Sequence, residues 1–284
     1  MPHRLVSVAI LVGWALASVA LFRRDILPDL VVGPPPDLRA VARAKGTEPG
    51  PTRWAILVLD DGEELRAVGQ VQTETRWTRD GWCRLASLAW FDSGALLQGT
   101  PLATGSNEQI EVRSAFDVDK SGNLDSFRAS VRLRGMKEEL VVLSGNVRHN
   151  DLSIRASGPI PLMNWVRKFP YKPREMVLNE LGPIDRMPGL RVGQRWECRV
   201  VSPLTGRVEK VQVAVERTKV ITWDGNPVTT LEVVTKMPPW SVRTWVQPDG
   251  MVLRQEVPFP LAKLMLERLP ERFLGPDVKR IDDP

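Results

Sequence analysis

The sharpest chemical pattern in the chain is Asp117-Val118-Asp119-Lys120-Ser121-Gly122-Asn123-Leu124-Asp125. It matches the first nine positions of a calcium-binding helix-loop-helix site, with side-chain oxygens at the ligand positions and glycine where the loop must turn sharply. The closing position, which needs a bidentate glutamate, is Arg128. A cation there removes two ligand oxygens and adds repulsion, and the flanking residues alternate as strands do. An Asp/Gly-rich hairpin turn accounts for the same residues, and no metal is expected. A second pattern is the order Cys83, His149, Asp151. A cysteine-dependent transferase or hydrolase needs a thiolate beside an imidazole that a carboxylate holds. Here the cysteine lies in a strand-like run and does not open a helix whose N-terminus would lower its pKa. His149 sits in a turn-like Arg148-His149-Asn150-Asp151. The plainer reading is a core thiol and a surface histidine. There is no glycine-rich phosphate loop, no Gly-x-Ser-x-Gly elbow and no His/Cys cluster, so neither an enzymatic activity nor a cofactor is expected.

Charge excludes a further class. The 284 residues carry 39 basic and 34 acidic side chains, a formal net charge of +5. Arg4, Arg23 and Arg24 border one apolar stretch at the N-terminus, and without them the remainder is close to neutral. Such a body has no electrostatic footprint for a phosphate backbone, and nucleic acid is not an expected partner. The aromatic content is lopsided: ten tryptophans, seven phenylalanines and one tyrosine. Trp196, Trp223, Trp240 and Trp245 fall in the C-terminal strands and are the candidate lining of an apolar pocket on a concave sheet face. The alternative is that they fill the core.

The elements that must position these residues read from the N-terminus onward. Leu5–Phe22 carries no charge and as a helix would span about 27 Å, close to the hydrocarbon thickness. Residues 1–24 are read as a signal anchor in the membrane, with a cleaved signal and a secreted body as the alternative. Residues 25–51 hold Pro28, Pro34, Pro35, Pro36, Pro49 and Pro51 and read as a stalk. Residues 52–284 read as an antiparallel β domain, with possible similar halves at 52–157 and 189–270. Short alternating runs are punctuated by Asp61-Gly62, Asp80-Gly81, Asp224-Gly225 and Asp249-Gly250. The fold class is mainly β: a curved antiparallel sheet or half-barrel meander, preceded by one transmembrane helix. One or two short helices, Arg174–Leu181 and Leu261–Leu269, are expected to cover it. Cys83 and Cys198 could pair in an oxidising compartment or stay as buried thiols.

The stretch Gly189-Leu190-Arg191-Val192-Gly193-Gln194-Arg195-Trp196, then Thr222-Trp223-Asp224-Gly225, and above all Trp245-Val246-Gln247-Pro248-Asp249-Gly250-Met251-Val252-Leu253-Arg254, resembles bacterial periplasmic domains of unknown function. These are similar in style to LolA-like lipoprotein-carrier half-barrels and to modules that precede transglutaminase-like domains. The resemblance implies an exported curved sheet that encloses apolar surface, and it supplies no catalytic residues. It opposes the flanking-charge count, which slightly favours a cytoplasmic body. The function it implies is a membrane-anchored extracytoplasmic domain that binds a lipid, a lipoprotein chain or a partner polypeptide. The alternative is a structural or assembly subunit of a cell-envelope complex.

Overall fold

The computed structural model describes residues 50–59, 65–77, 80–94, 108–159, 164–172, 176–177, 183–202, 207–237, 240–257, 264–270, 272 and 281. The expected anchor and stalk lie outside them. Among the described residues no helix is long and apolar enough to cross a membrane.

Among the described residues fifteen strands form one sheet. The first eight are β1 (Thr52–Leu59), β2 (Leu65–Trp77), β3 (Cys83–Asp92), β4 (Gln109–Val118), β5 (Leu124–Leu133), β6 (Val141–Arg148), β7 (Asp151–Ser157) and β8 (Trp165–Pro170). The rest are β9 (Met176–Val177), β10 (Arg195–Ser202), β11 (Arg207–Trp223), β12 (Asn226–Met237), β13 (Trp240–Val246), β14 (Val252–Val257) and β15 (Leu264–Arg268). Each half is a meander, and the first strand pairs with the last, Trp54 facing Arg268 and Val58 facing Leu264. All pairs are antiparallel except the short β9 beside β10. The two expected halves are therefore stitched into a single sheet.

That sheet curls on itself. Laid flat, fifteen strands about 4.8 Å apart would hold the outer edges about 65 Å apart. Those edges are β8 and β9, joined by residues 171–175, a link that reaches no more than about 20 Å. Burial agrees. Trp54, Ile56, Val71, Val215, Val246, Val252 and Leu266 are all at most 1% exposed on one face, and no helical layer covers them among the described residues. Phe116, Phe127, Leu152 and Ile154 continue the interior beneath β4–β8. Gly145 is required here, because the Phe127 ring lies against its backbone.

The opposite face is polar and cross-strand paired. Arg217 faces Glu232 at 2.5 Å, Arg254 faces Glu267 at 2.5 Å, and Glu111 takes both Arg113 and Arg132. Burial alone would raise the Glu111 carboxyl, but the hydrogen bonds from Arg132 and Arg113 hold it below the usual range. An apolar interior under a charged exterior is the reverse of an outer-membrane barrel.

Two expectations need correction. Leu261–Leu269 is not a helix: Leu264–Arg268 is a strand between β1 and β14. Leu264 and Leu266 point inward while Met265 packs on the outer cluster, so both faces are apolar and the run mimics helical spacing. In Arg174–Leu181 the described residues Met176–Val177 are strand β9, and the others lie outside the description.

Candidate functional site

Antiparallel pairing brings the turns β2–β3, β4–β5 and β6–β7 and the exit of β8 to one end of the sheet. They surround a cleft of about 390 Å³. Its apolar wall is Trp82, Leu124, Val147 and Tyr171, and its polar wall includes Asp119, Lys120, Asn123, Asp125, His149 and Asn150. Trp82 stays 38% exposed, and Leu85, one strand step into the inner face, 41%.

Each turn is built locally. Asp119 Oδ1 accepts the N–H groups of Ser121 (2.6 Å) and Asn123 (2.9 Å), and Gly122 supplies a φ of 77°. Asp117 is held by Arg84 at 2.7 Å and by the Ser126 hydroxyl at 3.2 Å, and Arg128 pairs with Glu139 at 2.8 Å. Asp117 and Asp119 therefore spend their oxygens on β3 and on their own hairpin. Among the described residues no group of three or more His, Cys, Asp or Glu converges as metal ligands do. His149 and Asn150 both take positive φ, 51° and 64°, in the two-residue hairpin between β6 and β7, which presents the imidazole at the rim.

Tyr171 closes the cleft floor. Its N–H donates to the Asn150 carbonyl at 2.7 Å, and its hydroxyl accepts the Leu124 N–H at 2.9 Å. One buried residue thus ties the β6–β7 turn, through its backbone N–H, to the start of β5, through its hydroxyl. Sequence reasoning missed it; that it is the single tyrosine of the chain was the one available signal.

Cys83 is buried as a free thiol. Burial, and secondarily the Asp117 carboxylate, push its pKa up to about 12, so the thiol form persists at neutral pH. It lines no wall of the cleft that His149 borders. Cys198 lies on β10.

The candidate tryptophans do not share a face. Trp196 is an interior core residue, 4% exposed. Trp245 is buried on the opposite side, with Ile221, Leu253 and Trp223. For Trp223 the cause is a bulge in β11: pairing shifts between Val215 and Arg217, so Val215 points inward while Ile221 and Trp223 point outward. Trp223 Nε1 donates to the Arg268 carbonyl at 2.8 Å, pinning the β11–β12 hairpin tip over β15. Trp240 begins β13, opposite Met237.

A second polar cluster, which the sequence did not announce, centres on Asp185 in the segment before β10. The Thr73 hydroxyl donates to its carboxylate at 3.1 Å, Trp54 Nε1 donates to that hydroxyl at 3.3 Å, and Arg268 lies 3.8 Å away. Burial pushes the Asp185 carboxyl above its usual value, against the pull of Arg268 and Thr73. The Asp185 carbonyl also accepts the Val252 N–H at 3.1 Å and Met187 N–H donates to Gly250, so this cluster straps the segment to the sheet end.

Fold and site together define a domain built on one curved antiparallel sheet, with an apolar inner face and a cleft at one end. A crystal structure of a β-barrel-like protein of the domain of unknown function DUF1849, from Brucella abortus, is similar in fold. Its TM-score is 0.50 at 9% identity, over 77% of this chain and 94% of that one. A "putative lipoprotein" from Parabacteroides distasonis aligns over 78% of this chain and 94% of its own, with a TM-score of 0.22 at 8% identity. No protein-family model matches the chain, and no curated protein matches it in sequence.

Proposed function

We propose that this chain is a non-catalytic, extracytoplasmic β domain, held at the membrane by Leu5–Phe22, that receives a partner polypeptide in its end cleft. The observation that carries the reading is the contrast between interior and mouth. Core side chains from β1 to β15 are buried to within a few per cent, whereas Trp82, on the wall of a cleft of about 390 Å³, stands 38% exposed. A half-exposed indole beside carboxylates, amides and an imidazole suits a peptide segment, which presents alternating apolar and hydrogen-bonding groups.

The test is site-specific photo-crosslinking in the intact envelope. A benzophenone side chain replaces Trp82 in the full-length protein, with Val220, exposed at 60% on the far hairpin, as the control position. The expected result is one dominant polypeptide adduct from position 82 and none from 220. Adducts with lipid alone, or identical patterns from both positions, would overturn the reading.

A further inference from the structure

Five arginines of this sheet are matched by carboxylates of neighbouring segments. Arg84 pairs with Asp117, Arg128 with Glu139, Arg132 with Glu111, Arg217 with Glu232 and Arg254 with Glu267. The pattern stops at β7 and β8. Arg155, Arg167 and Lys168 are exposed, and among the described residues none has a carboxylate within ion-pair distance; Arg167 lies instead over the Trp165 ring at 5.1 Å. The run from Asn164 to Lys172 holds three cations and no acid.

β8 is also a sheet edge. It pairs with β7 on one side, and among the described residues no strand flanks the other. Val166 stands 57% exposed on the outward face, opposite Arg155. Pro170, which lacks an N–H, falls at the strand end and leaves the preceding backbone groups available. The edge runs straight into the cleft, because Tyr171 follows it and forms the floor.

We propose that β8 takes up an extended, acidic segment of a partner polypeptide as an added strand, its carboxylates meeting Lys168 and Arg155 on the outward face, while Arg167, opposite Ile154, lies on the inward one. This rests on the polypeptide reading of the cleft and deepens it by naming the segment's charge and its backbone mode of binding. Strand addition uses the unpaired backbone row for affinity and the flanking side chains for selection. A second copy of this chain is disfavoured as the occupant, since edge-to-edge pairing would set Arg167 and Lys168 against themselves. Edge cations also deter indiscriminate pairing, so an acidic strand is the one that this edge admits.

The experiment uses the full-length protein and three probes: a fluorescent ten-residue peptide of alternating Glu and Val, its Lys/Val counterpart, and phosphatidylglycerol vesicles. Affinity is read by fluorescence anisotropy or vesicle co-sedimentation, and the site by amide hydrogen exchange. The acidic peptide is expected to bind, to slow exchange within β8, and to lose at least about tenfold in affinity in the Arg155→Glu, Lys168→Glu double variant. That variant is checked for an unchanged circular dichroism spectrum, and Lys168→Gln alone serves if it misfolds, with a smaller loss of the same sign. Equal binding of both peptides, unchanged exchange in β8, or binding to vesicles alone would overturn the proposal. A polypeptide adduct at position 82 with an unprotected β8 removes only the edge assignment. No polypeptide at either place removes both readings.

Discussion

Gly145→Ala tests the packing beneath β4–β8 most directly. A Cβ at residue 145 would lie 2.1 Å from Phe127 Cε1 and 2.8 Å from Cδ1 and Cζ. Carbon atoms settle at about 3.5–4.0 Å, so the ring must give by about 1.5 Å. It has little room: Phe127 is 3% exposed and stacks on Phe116, with centroids 5.6 Å apart and planes at 19°. Overpacking of this kind costs about 1–3 kcal/mol. The gain from restricting the unfolded chain, about 0.4–1 kcal/mol for Gly→Ala, offsets part of it. The expected net loss is therefore about 1–2 kcal/mol. Urea unfolding followed by circular dichroism on the wild type, Gly145→Ala, Phe127→Leu and the double variant measures it. Phe127→Leu removes ring atoms from the contact, so the double variant should be more stable than the sum of the single losses predicts. A Gly145→Ala protein as stable as wild type, or additivity to within about 0.5 kcal/mol, would refute the steric argument.

Leu266→Ala, at a side chain with no exposed area in the seam strand, should cost about 2–5 kcal/mol, whereas Met136→Ala, exposed at 53%, should stay within about 0.5 kcal/mol; denaturant midpoints decide. Cys83 in the native protein should resist iodoacetamide near pH 8, because burial and Asp117 push its pKa to about 12; it should react promptly once unfolded, and fast native labelling would contradict its placement. Asp185 gives a pH signature: its folded carboxyl is raised, so the folded state holds the proton more tightly and this group's contribution to stability falls as pH rises from the unfolded carboxyl value through the folded one. The melting-temperature difference between wild type and Asp185→Asn should therefore shift in favour of wild type on acidification through that window, and a flat difference would argue against the buried cluster.

Much of the strand pattern could be read from the sequence, because one face of the sheet is buried and the other ionic. Val211, Val213 and Val215 alternate with Lys210, Gln212, Ala214 and Glu216, and Asp224-Gly225 takes the two positive-φ positions between β11 and β12. The reading failed where both faces of a strand are covered. Leu264, Met265 and Leu266 have no polar side to betray a two-residue period, so they looked helical. It failed again at Trp223, because one inserted residue near Glu216 exchanges the faces of β11 downstream, and no composition signal marks it. Tyr171 and Asp185 lie in connections, where residue type follows tertiary contacts that alternation does not encode. The cleft therefore had to come from the order of the strands in space.

The pairing of β1 with β15 sets the order in which this molecule becomes stable. A nascent chain makes Trp54, Ile56 and Val58 long before their partners Arg268, Leu266 and Leu264. Until then β1 keeps an apolar face and one unsatisfied edge, the kind of surface that recruits foreign strands. Completion waits on contacts remote in sequence, so the domain should fold slowly and only once the whole polypeptide has been delivered. A protein assembled in this way gains from being held unfolded until translation or translocation is finished. The seam then acts as the clasp of a bracelet, closing a structure whose other links are already in line.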